Sequence, residues 1–111
     1  MESNEEFHIH PNQTTIPGLE NVGHKDDDGK LRYSLIPTST TKALAEVLTF
    51  GANKYEPGGW RHVPNGKERY LDAAIRHLEA YRSGELADSE STLPHLNHLL
   101  CNIAFLIELE G

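Results

Sequence analysis

The 111-residue chain predicts an all-α fold: a compact bundle of about three main helices with an extended N-terminal arm, completed by oligomerisation. Three observations predict it. Apolar residues recur at helical spacing in three separate stretches. Pro57-Gly58-Gly59 and Ser83-Gly84 interrupt those stretches where helices stop. Residues 1–30 carry Pro11, Pro17, Gly18, Gly23 and Gly29 among polar groups and show no sustained period.

The domain division follows. Residues 1–30 form a flexible or extended arm, and residues 31–111 form the helical domain. Pro37 ends a short mixed segment, Leu31 to Ile36, and Thr38 to Thr41 supply hydroxyls suited to capping. Ala43, Leu44, Val47 and Leu48 then set a first helix from about Thr40 to Tyr55, with Glu46, Thr49 and Asn53 on a second face. A loop from Glu56 to Gly66 carries Trp60, Arg61 and His62.

A second helix is expected over about Lys67 to Arg82, with Leu71, Ala74, Ile75 and Leu78 as its apolar stripe. Tyr70, Ala73, His77 and Ala80 make a neighbouring narrow face. Gly84 stands where a C-cap glycine belongs. Pro94 fits the first turn of a third helix, about Leu93 to Glu110, where its missing N–H costs nothing. Leu96, Leu99, Leu100, Ile103, Leu106 and Ile107 make that helix apolar on a wide stripe, while His95, His98 and Asn102 share another face. Three helices leave much of this apolar surface uncovered, which predicts a homo-oligomer.

Charge narrows the function. The formal net charge is −7, from seventeen acidic and ten basic residues besides seven histidines. Most of the excess lies in the arm. Between Lys54 and Arg82 six bases face four acids, a balance that suits a phosphate-bearing small molecule. It argues against a duplex nucleic-acid binder, which needs a net basic face. No apolar run approaches 18 residues, so no membrane span is expected. The acidic N-terminus lacks a secretory pattern, and Cys101 has no disulfide partner, which fits a reduced, cytoplasmic setting.

Two groups of residues carry chemistry. His95 and His98 lie one turn apart, His77 sits among small alanines, and Glu85, Asp88 and Glu90 occupy the loop between the last two helices. Imidazoles with carboxylates are the raw material of a divalent-metal site; capping, hydrogen bonding to a partner, or plain exposure are the competing readings. The second group is Lys54-Tyr55-Glu56-Pro57-Gly58-Gly59-Trp60-Arg61. Lys54 and Arg61 can hold phosphates and Tyr55 and Trp60 can stack on a base; alternatively the two aromatics plug one end of a small core. Asp72 and Arg76, at i and i+4, read as a surface ion pair. Cys101, flanked by leucines and isoleucine, reads as inert core.

Several runs together point further. They are Asp28-Gly29-Lys30-x-Arg32, Glu46-Val47-Leu48-Thr49-Phe50-Gly51-Ala52-x-Lys54-Tyr55 with Trp60, Tyr70-x-x-Ala73-Ala74-x-Arg76-His77-Leu78, Gly84-Glu85-x-x-Asp88 and Leu93-x-His95-Leu96-x-His98. In this order, over roughly residues 26–109, they resemble the mostly phage-encoded family of dATP/dGTP diphosphohydrolase N-terminal domains. The resemblance implies kinship with the all-α, MazG-like nucleotide pyrophosphohydrolases. Those enzymes cleave a nucleoside triphosphate to monophosphate and pyrophosphate with Mg2+ or Mn2+. Their usual Glu-Glu-x-x-Glu and Glu-x-x-Asp motifs are absent here; Glu46 stands alone, and His95-x-x-His98 occupies the third helix.

The expected function is therefore a metal-dependent purine (deoxy)nucleoside triphosphate pyrophosphohydrolase, acting in the host cytoplasm where a phage encodes it. By residue type and predicted face, Lys54, Tyr55, Trp60, Arg61 and Arg76 bind substrate. Glu46, Asp88, His95 and His98 hold metal, and Glu46, Asp72 and His77 serve catalysis. The alternatives are a non-catalytic protein that sequesters a nucleotide or cyclic nucleotide, favoured by the shortage of paired carboxylates, and a structural adaptor.

Overall fold

A computed structural model describes residues 28–111. The expected arm falls outside the described residues except for Asp28 to Lys30. The chain divides into two units at Tyr33 and Ser34, and the helices belong to the second. In the first, Gly29 closes a turn at φ +82°, a backbone region that glycine enters without a Cβ clash.

Three helices make the second unit: α1 (Thr38–Lys54), α2 (Gly66–Arg82) and α3 (His95–Glu110). Two short 3-10 turns, Tyr33–Leu35 and Gly59–His62, flank α1. Among the described residues there is no strand, only an isolated bridge between Ala87 and Pro94. The all-α expectation holds. No helix among them is long and apolar enough to cross a membrane.

The helix ends differ in detail from those expected. Helix α1 begins two residues early, at Thr38, with Pro37 in extended geometry as its N-cap and no side-chain cap bond. Its hydroxyl residues form the first turn instead of the cap. Helix α3 starts at His95, and Pro94 is the N-cap at ψ 143°, not a first-turn residue. Pro94 is held outside the helix by the bridge to Ala87 and by the His95 N–H, which donates to Leu86 O at 2.8 Å. Gly84, at φ +104°, closes α2 as expected, with its N–H donating to Tyr81 O.

Helix α3 is the centre. It packs along α2 and, over a shorter stretch, against α1, so those two meet through it. The packing departs from the apolar-stripe expectation: of the expected residues, Ala74 on α2 is buried and Leu99, Leu100 and Leu106 on α3 are half-buried. Leu71 and Ile75 of α2 remain 49% and 50% exposed, and Leu78, Leu96, Ile103 and Ile107 are exposed as well. What faces inward on α2 is Tyr70, Ala73, Ala74 and His77. On α3 the buried set is His95, Asn97, Cys101 and Asn102. Alanines let two backbones approach closely, and the room beside them admits rings. Val47, Ala74 and Cys101 are the buried apolar residues among those described. The Cys101 thiol is pushed up to about 11 by burial, which fits inert core.

Buried polar groups need partners. Asn97 Nδ2 donates to Glu46 Oε1 at 2.9 Å and ties α3 to α1. Asn102 Nδ2 donates to His98 O at 2.8 Å. The aromatic end closes through the Gly59–His62 turn: Trp60 stacks on Phe105 at 4.1 Å, and Tyr70 Oη donates to Trp60 O at 2.7 Å.

Candidate functional site

A groove of about 1400 Å3 runs between the C-terminal part of α1 and the paired helices α2 and α3. Its aromatic end holds the Trp60–Phe105 stack and its other end holds His77, Asp88 and His98, while Phe50 and Tyr55 line it beside Lys54. Arg69, Asp72 and Arg76 of α2 line the wall, because they follow one another at i, i+3 and i+7 on one helical face.

The histidine end is assembled from α2, α3 and the loop between them. Nδ1 of His77 lies 2.8 Å from Nδ1 of His95 and shares a hydrogen bond with it. The His77 ring stacks on His98 at 4.6 Å. His98 is held from its other side, where Nε2 meets the Ser91 hydroxyl at 2.6 Å. One donor atom from each of His77, Asp88 and His95 lies within 4.8 Å of the others.

The 85–94 loop presents Asp88 to these rings. The Asp88 N–H donates to Leu93 O, and the Glu90 and Ser91 N–H groups donate to Asp88 Oδ2 at 3.1 and 2.8 Å. Burial disfavours the Asp88 charge, but the Ser91 amide, the Ser91 hydroxyl, the His98 ring and the Glu90 amide outweigh it. The carboxyl stays below its ordinary range. The loop is tight enough to place Thr92 at φ +62°, an unusual conformation for a β-branched residue.

Burial, followed by the neighbouring His98 and His95 rings, lowers the His77 pKa. Burial likewise lowers that of His98, against the pull of Asp88. Both imidazoles are biased toward the neutral form, which is the form that ligates metals. His95 is only 5% exposed. Its Nε2 lies 3.3 Å from Glu85 Oε2, yet off the line a hydrogen bond requires, so this buried nitrogen has no hydrogen-bond partner among the described residues.

The structure thus gathers Asp88, His98 and His77 at one end of the groove, with the buried His95 against His77, and brings Lys54, Tyr55, Trp60, Asp72 and Arg76 to the same groove. Glu46 lies elsewhere. It pairs with Lys42 and Asn97 and lines a separate, smaller groove of about 450 Å3. The Lys42 hydrogen bond is the main influence holding its carboxyl below the ordinary range. Arg61 pairs with Glu108 at 3.4 Å and sits 4.5 Å from the Trp60 ring centroid. Trp60 is therefore packed by Phe105 and Arg61, whereas Tyr55 is 65% exposed. Lys54 reaches across to Glu90, whose hydrogen bond leads in raising the lysine pKa.

Asp72 and Arg76 do not form the ion pair their spacing suggests. Neither has an ion-pair partner among the described residues; both border the groove. Arg69 and Ser91 contribute without having been singled out in the sequence, whereas Asn102 lies on the His95–His98 face as expected. The i, i+7 relation of Arg69 to Arg76 was the available signal. The Ser91–His98 contact depends on a loop conformation that has no local sequence signature.

The family described as dATP/dGTP diphosphohydrolase, N-terminal, matches residues 20–111. A protein of Salmonella phage PMBT28 named dATP/dGTP diphosphohydrolase is 34% identical over 88 residues, covering 79% of this chain. The chain spans about 30% of that relative's length. No solved structure matches. The matched region takes in the groove, the histidine cluster and all three helices, and the chain belongs to the dATP/dGTP diphosphohydrolase N-terminal family.

Proposed function

We propose that this domain binds a purine deoxynucleoside triphosphate in the groove and, with a divalent cation, hydrolyses it to the monophosphate and pyrophosphate. One observation carries the reading: a single groove sets Arg69 and Arg76, both without ion-pair partners among the described residues, beside Asp88 and the histidines. Guanidinium groups match phosphate oxygens in shape and charge. Tyr55 offers an exposed ring to the base, and Lys54 can exchange Glu90 for a phosphate.

When bound, the cation, Mg2+ or Mn2+, lowers the pKa of a water and neutralises charge on phosphate oxygens. Asp72, one turn from Arg76 on the groove wall, would accept the proton of the attacking water. The new bond joins the water oxygen to the α-phosphorus, the α–β bridging bond breaks, and pyrophosphate leaves with its electron pair. Kinship with MazG-like enzymes and a host-cytoplasmic setting go with this reading. So does self-association, supported by the uncovered faces of Leu71 and Ile75 on α2 and of Leu96, Ile103 and Ile107 on α3.

A panel of purine and pyrimidine triphosphates with Mg2+ or Mn2+ tests the proposal. Metal-dependent pyrophosphate release from dATP or dGTP is the expected result. A thermal shift without product favours the second reading, a nucleotide-binding module without turnover. The lack of paired carboxylates and the fraction of the relative that the chain spans support that alternative. Neither shift nor product leaves an assembly role.

A further inference from the structure

The metal expectation can be narrowed, and the inference rests on the nucleotide reading only for its purpose, not for its evidence. We infer that His77, Asp88 and His95, with Glu85 behind His95, form a site for one first-row transition ion such as Mn2+ or Co2+ in preference to Mg2+.

The convergence is the first argument. Three donor atoms from three separate segments lie within 4.8 Å of one another. The Nδ1 atoms of His77 and His95 point at each other at 2.8 Å. A neutral imidazole carries hydrogen on one nitrogen only. If each ring carries it on Nε2, both Nδ1 lone pairs face the same space.

The buried His95 is the second argument. Its Nε2 is enclosed and has no hydrogen-bond partner among the described residues, though Glu85 Oε2 stands 3.3 Å away. A buried nitrogen left unsatisfied is destabilising unless something pairs with it. A carboxylate behind a histidine, with the ligating nitrogen on the far side, is the usual outer support of a metal-bound imidazole. A small turn of Glu85 satisfies Nε2–H and fixes that tautomer. Asp88 is also pre-set: Oδ2 accepts two backbone N–H groups, which orients the carboxylate toward the rings.

The donor set decides the ion. Magnesium takes oxygen ligands and keeps its waters, whereas imidazole favours later first-row ions. Two imidazoles and one carboxylate therefore disfavour Mg2+. His98 is held by Ser91 and stacks on His77, so it positions that ring.

Isothermal titration of the full chain with Mn2+, Co2+ and Mg2+, without nucleotide, is the test. One equivalent of Co2+ or Mn2+ is expected, with Mg2+ at least about tenfold weaker. His77→Asn should abolish saturable binding. Glu85→Gln, at an exposed position, should weaken it about tenfold or more. His62→Asn, outside the cluster, should leave it unchanged. Circular dichroism confirms folding of each variant. Absence of saturable transition-ion binding, equal affinity for Mg2+, or unchanged binding in His77→Asn overturns the inference. Metal binding without triphosphate hydrolysis would keep the site and remove the hydrolase reading. Hydrolysis with Mg2+ alone, unaffected by His77→Asn, would do the reverse.

Discussion

Nδ1 of His77, on α2, and Nδ1 of His95, on α3, lie 2.8 Å apart and join the two helices through a ring-to-ring hydrogen bond. The bond requires that at least one ring keep a bare nitrogen, so it survives only while the pair is not doubly protonated. His77 and His98 both have pKa values below the ordinary 6.5, with burial as the leading cause. The unfolded chain therefore takes up protons first as pH falls. Stability should be fully present above about pH 6.5 and decline as pH drops from there toward the lowered folded-state values, with Asp88 adding a further loss at more acidic pH. Thermal unfolding in chelator between pH 7.5 and 5 checks this; a melting temperature that rises on acidification contradicts it.

Arg76 lines the groove with no ion-pair partner among the described residues. A charge-assisted hydrogen bond to phosphate is worth about 1.5–3 kcal/mol, so Arg76→Ala should weaken triphosphate binding by about tenfold to a hundredfold. Arg76→Lys should restore only part, because it retains the charge but loses the fork. Fluorescent-nucleotide titration reads both.

Thr92 holds φ +62°. A non-glycine residue there costs about 1–3 kcal/mol, and the Thr92 side chain reaches only the neighbouring Ser91 O. Thr92→Gly should therefore raise stability, by about 1 kcal/mol after the entropy that glycine adds to the unfolded chain. Urea unfolding measures it. A loss above 1 kcal/mol would assign the threonine a packing role.

The half-exposed Leu71 and Ile75 predict self-association through α2. Light scattering should return a mass above the 12.4 kDa of one chain. Leu71→Glu with Ile75→Glu should return the monomer while the helical signal remains. A wild-type monomer at high concentration would leave those side chains without this role.

The three helices were legible because their 3.6-residue period and their Pro and Gly stops are local signals. The inward face of α2 was not. Hydrophobicity favours the Leu71–Ala74–Ile75–Leu78 stripe, but of these Ala74 alone is buried, and the neighbouring Tyr70–Ala73–His77 face turns inward beside it. Side-chain size and a ring-to-ring contact decided it, and neither is visible until the partner helix is known. Likewise His95 and His98 were recognisable as a pair, yet His98 is taken by Ser91 and His77 fills the place beside His95. The contribution of Glu46 turned on Asn97, 51 positions away along the chain. Asp72 and Arg76 followed the opposite path: spacing paired them, and in the structure both border the groove without forming that pair.

Trp60 stacks on Phe105 with its rings 10° from parallel, and the sequence holds no second tryptophan. The protein thus carries a built-in optical reporter at one end of the groove. Excitation at the indole band observes the 59–62 turn alone. A change in its emission on adding a ligand would register events beside the Trp60–Phe105 stack. Ligand entry into the groove can therefore be followed at Trp60 without an added label.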